Sequence, residues 1–345
     1  MVRGLSKSQS RAGSRRFLRE SGDCPNPNGG PVDVGAADDT DKLSGMFKRQ
    51  RTGSVVCASC GSLVGVNDDV CYSCGRRNPG LWGFGRALRD LGADFGLVTL
   101  VIYGCGALYL ATLLFSAYIG EGVGNRSPFS MLGPGVQTLI AFGGSGAVPV
   151  FYYGRWWSFL SAGWLHAGIL HLVFNMMALR QLGPPAADVY GPARMVIIYT
   201  IGGVVGFLVS TVAGVVMPQL PFIGAGSLTI GASAPIFGLL GGLMYYSRRG
   251  GSSLMRSALM GYIMSAVVMG ILMPGIDNWA HAGGFAGGYL AGILLDPLKP
   301  ERVDHMVMAA VCLAASAIAV AASLLVTMWP YIMIKFFGAP AGIVR

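Results

Sequence analysis

The sequence predicts an all-α polytopic membrane protein, with seven apolar spans behind a small cysteine-bearing head. Three observations predict it. The 345 residues are 53% hydrophobic and only 12% charged, with a mean hydropathy of +0.56, which fits a chain that lives in lipid and excludes an ordinary soluble domain. The charge is unevenly spread, because residues 1–92 hold 14 of the 25 Lys and Arg. Seven apolar stretches of membrane-crossing length then follow.

The first 50 residues are rich in Gly, Ser, Arg and Pro and lack any apolar run. They predict a disordered basic arm, since such a segment cannot bury enough apolar surface to order itself, and no signal-peptide core is present. A net charge of +9 suits anionic lipid headgroups. No recognition helix or aromatic platform accompanies the arginines, so no nucleic-acid partner is expected. Residues 51–80 hold "CASCGSLVGVNDDVCYSC", two CxxC pairs formed by Cys57, Cys60, Cys71 and Cys74. Each pair turns two thiolates toward one cation, and two pairs complete a closed tetrahedral S4 shell of structural type. Two disulfides or four free thiols are the alternatives. The segment resembles a bacterial zinc ribbon, which implies one structural zinc ion. Cys24, Cys105 and Cys312 stand alone and are read as inert. Residues 81–96 are a juxtamembrane linker.

Crossing the hydrocarbon core takes about 20 apolar residues, and candidates lie near 97–117, 168–183, 195–217, 229–247, 257–273, 279–295 and 306–328. Between the first two runs "LIAFGGSGAVPVFYYGRWW", broken by Gly and Pro and ending in aromatics. Irregular backbone cannot face lipid, so this piece reads as an interfacial or half-buried loop. With the head inside, inner segments hold 21 basic residues against 4 outside. The asymmetry predicts a cytoplasmic N-terminus and an outside C-terminus.

In that topology the second, fourth and sixth spans run outside to inside, each with its polar residue near the outer start. These are His171 and Asn175, Ser233, and His281. Taken singly, such a serine packs against its own backbone and such a histidine or asparagine glues helices. Four of them at one depth are expected to face one another or a wet cavity, because isolated polar groups in a bilayer are costly. A serine hydroxyl needs a base, and imidazole is the usual one near neutral pH. Ser233 and His281 therefore form a candidate nucleophile and base. Ser233 lies in the first turn of its span, where free backbone N–H groups and the helix dipole favour an oxyanion. His171 and Asn175, four residues apart, aim further donors at the same spot. Small residues at Ala234, Gly238 and Gly242, and at Gly284 and Gly288, would let the fourth and sixth spans approach closely.

These residues resemble the rhomboid family of intramembrane serine proteases over roughly residues 97–300. "HAGILHLVFNM" is similar to the family's HxxxxHxxxN segment, "GASAPIFG" to its GxSG motif and "AHAGGFAGG" to its AHxxGxxxG segment. "RWWSFLSAGWLH" is similar to its partly submerged loop. Two positions depart, with Ala234 after the nucleophile in place of glycine and Ser158 after Trp157 in place of arginine. The resemblance implies a six-helix core, residues 97–300, to which residues 301–345 add a seventh transmembrane helix and tail.

It also implies a serine endopeptidase without a catalytic cofactor, cutting single-pass transmembrane substrates near the outer membrane face. Ser233 and His281 are the dyad and His171 and Asn175 the oxyanion donors, in a bacterial inner membrane. Asp277 is the one acidic residue shortly before His281, and the reading is a dyad in preference to a triad. A proteolytically inactive relative that binds transmembrane helices is the competing reading. A transporter would need inverted repeats or intramembrane ion pairs, and the sequence displays neither.

Overall fold

The computed structural model describes residues 49–85, 96–124, 130–217, 226–250, 252–273 and 275–337. The basic arm, apart from residues 49 and 50, lies outside them, as do Cys24 and residues 86–95 of the linker.

The head is a two-stranded antiparallel ribbon, β1 (Ser54–Val56) and β2 (Leu63–Gly65), with Val55 opposite Val64. Its strands are too short to make a core alone. Val55, Val64 and Val66 close around Cys57 and Cys71 instead, and all five are buried. A domain this small usually needs a metal or disulfides to hold together.

Among the described residues seven long helices follow: α1 (Leu97–Tyr118), α2 (Ile169–Tyr190), α3 (Pro192–Val216), α4 (Ser233–Arg249), α5 (Ser253–Leu272), α6 (Asn278–Leu294) and α7 (Val303–Phe337). Among the described residues α1, α3, α5 and Val303–Thr327 of α7 are each long and apolar enough to cross a membrane. The pair Ser158–Trp164 and α2, bent by 96°, is a fifth candidate. Helices α4 and α6 have 17 residues each, at the short end of what crosses a bilayer.

Several helix boundaries differ from the sequence reading, and α3 and α5 start at Pro192 and Ser253 where 195 and 257 were expected. Helix α2 runs past residue 183 through Pro184 and Pro185 to Tyr190, because neighbours in a packed bundle compensate for the backbone bonds that proline removes. The fourth helix starts at Ser233 and not at residue 229. Thr229 is held outside it by a two-bond bridge to Ser145. Helix α7 extends from 303 to 337, beyond the 306–328 expected.

Helix α6 is wedged between α3 and α4, which its glycines permit. Cβ atoms on Gly283 and Gly287 would strike Val209 and Val205 of α3, whereas on Gly284 and Gly288 they would strike the backbone of Ala234 and Gly238 of α4. The small-residue stripes named from the sequence therefore meet rung by rung. At one end, buried Arg194 clasps two turns together. Its Nη1 donates to the carbonyls of Leu295, Asp296 and Lys299, each at 2.9 Å, while its own N–H donates to Glu301 at 2.8 Å.

The described part of the loop between α1 and α2 is folded, with a short helix Val136–Ala141 and one helical turn at Ser158–Ser161. Glu121 caps the former through Gln137 and Thr138 N–H groups at 2.7 and 3.0 Å, a carboxylate where the helix dipole favours one. Where the resembled loop pattern has arginine, Ser158 is buried on Ser145 at 3.1 Å. Anchoring falls to its neighbours. Trp157 Nε1 donates to Ser323 of α7 at 2.9 Å and Arg155 to the Ile140 carbonyl at 2.7 Å.

Candidate active site and metal-binding head

Ser233 is the first residue of α4, and His281 stands one turn into α6. Their side chains meet, with His281 Nε2 at 2.9 Å from Ser233 Oγ. Phe237, one turn beyond the serine, stacks on the imidazole at 4.3 Å between centroids and 9° between planes, which fixes the ring's tilt. Pro235 sits in the first turn of α4, where the N–H it lacks would have had no intrahelical acceptor. The N–H groups of Ser233 and Ala234 belong to that same open end.

His171 and Asn175 come to the same place from α2. The Ala167 N–H donates to His171 Nδ1 at 3.3 Å, which leaves the proton on Nε2. Nε2 lies against Gly231, two residues before the serine: a Cβ there would be 2.7 Å from Nε2 and 3.7 Å from Asn175 Nδ2. Gly231 has φ +122, so both its backbone and its neighbours require glycine. Asn175 gives an N–H group to the His171 carbonyl at 3.0 Å, and its amide carries a second. All four residues expected from the sequence thus converge on the start of α4. This set can offer a hydroxyl with a base in contact and several N–H donors beside it, the parts needed for acyl transfer.

His166 opens the HAGILHLVFNM segment, and the sequence reading assigned it no role. Its ring is fully buried and meets His171 edge-on at 5.0 Å, backing the donor from behind. Neither of its ring nitrogens reaches a hydrogen-bond partner among the described residues. Asp277 is engaged away from the imidazole, with Oδ1 accepting the Ala280 N–H at 2.9 Å and Oδ2 accepting from Thr229 at 2.6 Å and from Ser210. Ala234 is fully buried with Ala162, Phe207 and Ala280. Space for its methyl comes from Gly206 of α3 and not from Gly284 or Gly288, which meet backbone of α4.

In the head, the four cysteine sulfurs of Cys57, Cys60, Cys71 and Cys74 all lie within 4.8 Å of one another, and none is in a disulfide. Cys57 and Cys74 are 3.8 Å apart, Cys60 and Cys71 3.6 Å. A tetrahedral ion with ~2.3 Å metal–sulfur bonds separates its ligands by about 3.8 Å, so the cluster can hold a metal ion. Hydrogen bonding with the Ser62 side chain, then with its backbone, brings the Cys60 thiol down to about 6, whereas against its Arg76 backbone hydrogen bond, burial and the other three thiols raise Cys74 to about 11.

Comparison with known proteins gives a consistent result. A family model described as the rhomboid domain matches residues 153–297. RHOMBOID-like protein 4 of Arabidopsis thaliana is 33% identical over 186 residues, 52% of this chain and 45% of the relative. Rhomboid protease GluP of Bacillus subtilis is 32% identical over 185 residues, 53% and 34% respectively. For the putative rhomboid protease YdcA, also of B. subtilis, the figures are 30% over 158 residues, 43% and 72%. The chain spans half or less of the length of the first two relatives.

Proposed function

The chain belongs to the rhomboid family, and from that premise we propose that it is an intramembrane serine endopeptidase acting on transmembrane helices. The observation that carries the reading is the 2.9 Å contact between Ser233 Oγ and His281 Nε2. In the proposed reaction Ser233 attacks the scissile carbonyl while His281 takes the hydroxyl proton. The tetrahedral oxyanion is held by the N–H groups at the start of α4 with His171 and Asn175. Collapse breaks the C–N bond, and the leaving amine takes the proton from His281. Water, deprotonated by the same imidazole, then hydrolyses the acyl-enzyme and frees Ser233. The substrate must unwind locally to present its carbonyl.

The wider architecture proposed is a six-helix core with α7 as a seventh span, the N-terminus inside and the C-terminus outside, as the basic residues are distributed. Relatives from a plant and from a bacterium match alike, so the reading commits to orientation and not to one kind of membrane. We assign zinc to the four cysteines, as a structural ion.

The test is cleavage of a panel of single-pass substrates in liposomes. Ser233→Ala and His281→Ala are each expected to lower kcat by about 10³-fold or more, and a fluorophosphonate to label Ser233 in the wild type. A wild type that binds helices but neither cuts nor labels belongs instead to the inactive, helix-binding class.

A further inference from the structure

We propose that Asp277 is a positioning residue that sets the distance between Ser233 and His281, acting through Thr229 and Ser210. The inference rests on the protease reading only for what the distance is used for.

Asp277 is the N-cap of α6, and its Oδ1 accepts the Ala280 N–H at 2.9 Å. Its carbonyl accepts the His281 N–H at 3.2 Å, so the base stands one helical turn from this cap. Thr229 stands four residues before Ser233, and its hydroxyl donates to Asp277 Oδ2 at 2.6 Å. Two cross-links thus join the same two chain segments, four residues apart on each. One is the Thr229–Asp277 hydrogen bond, the other the Ser233–His281 contact at 2.9 Å. Helix α3 adds a third strut, because Ser210 donates to the same carboxylate oxygen and lies 2.9 Å from the Thr229 hydroxyl.

The cluster is built to be rigid. Ser210 is fully buried and Thr229 is 5% exposed. Gly226 backbone closes one side so tightly that a Cβ there would be 1.7 Å from Thr229 Oγ1 and 2.8 Å from Asp277 Oδ2. Hydrogen bonds to a carboxylate are stronger than neutral ones, and the negative charge stands at a helix N-terminus that favours it. Thr229 is fixed from its other side by paired bonds to Ser145 at 2.7 and 3.1 Å. The carboxylate therefore ties together the helix of the base, the segment leading to the nucleophile and α3.

The experiment uses the full chain in liposomes with Asp277→Ala, Thr229→Val and Thr229→Ser. Three quantities are read: kcat and KM, the melting temperature, and the ¹⁵N signal of the His281 imidazole, assigned by its loss in His281→Ala. Misplacing a reacting group by about 1 Å costs up to ~10²-fold. Asp277→Ala and Thr229→Val are expected to lower kcat about 10- to 100-fold with KM within about twofold. Both should move the His281 signal toward its position in Ser233→Ala. Thr229→Ser, which keeps the hydroxyl, should restore both.

Wild-type kcat and an unmoved His281 signal in Thr229→Val would overturn the proposal. So would a kcat loss no larger than that of Leu179→Ala, a cavity-forming change at a fully buried leucine of α2, at equal melting temperature. Should the wild type neither cleave nor label, the protease reading fails while the imidazole signal still decides the positioning role. Should Asp277→Ala fail to fold for want of its cap, the threonine pair decides.

Discussion

Ala234 replaces the glycine that the family motif has after its nucleophile, and its methyl is fully buried against Ala162, Phe207 and Ala280. Ala234→Gly removes that methyl and adds glycine's backbone entropy, together about 1–2 kcal/mol. We expect a melting temperature lower by a few degrees and cleavage within about threefold of wild type, because the Ser233–His281 contact does not pass through the methyl. A tenfold activity loss at unchanged melting temperature would show that the methyl shapes the site itself. Gly206→Ala should be far worse. Its Cβ would stand 2.6 Å from the Ala280 carbonyl and 2.9 Å from the Ala234 methyl, driving α3 away from both α4 and α6. We expect a loss of more than tenfold in cleavage, measured on the same substrates. The four polar side chains that meet at the start of α4 were singled out by residue type and spacing. Gly206 as partner of Ala234 was not, because helical periodicity names a face without naming what covers it.

At the scale of helices, the decisive contact is α6 between α3 and α4. On Gly288 a Cβ would be 1.9 Å from the Gly238 carbonyl, a collision with backbone that no rotamer relieves. Gly288→Ala is therefore expected to separate α4 from α6, destabilising the fold by about 3 kcal/mol or more and abolishing cleavage. Gly261, in α5, has nothing within 4 Å of a built Cβ. Gly261→Ala should be neutral or stabilising by up to ~1 kcal/mol, so thermal unfolding of the pair in detergent separates packing from propensity. Equal effects would refute the close-approach account. Sequence periodicity located the glycine stripes correctly. It placed the start of the fourth helix four residues early, since nothing local reveals that Thr229 pairs with Ser145 across the loop.

At the scale of the whole molecule, the four-cysteine head is joined to the last helix. The Val303 N–H donates to the Ala58 carbonyl at 3.1 Å, and Arg76 Nη1 reaches Asp304 at 2.6 Å. Helix α7 then contacts the folded loop, where Thr327 donates to the Ala141 carbonyl at 3.1 Å and Ser323 receives Trp157. We expect one zinc ion per purified chain, lost in Cys71→Ser. Its removal by chelation should speed amide exchange about tenfold or more at Val55, Val64 and Val303 together, because metal binding supplies the folding energy of such a small unit. Exchange at Val303 unaffected by chelation would show that head and helix fold independently. Arg76→Ala should cost less than about 1 kcal/mol, since the ion pair is partly exposed. By itself the sequence determined that this is a helical membrane protein with a four-cysteine head, and which serine, histidines and asparagine to watch, because hydropathy, spacing and residue chemistry are local properties. Only the tertiary structure decided that Asp277 binds Thr229 and Ser210, that Gly206 shelters Ala234 and that the head meets α7. Those contacts join residues tens to hundreds of positions apart, and their partners are set by how the helices cross, which no local pattern encodes.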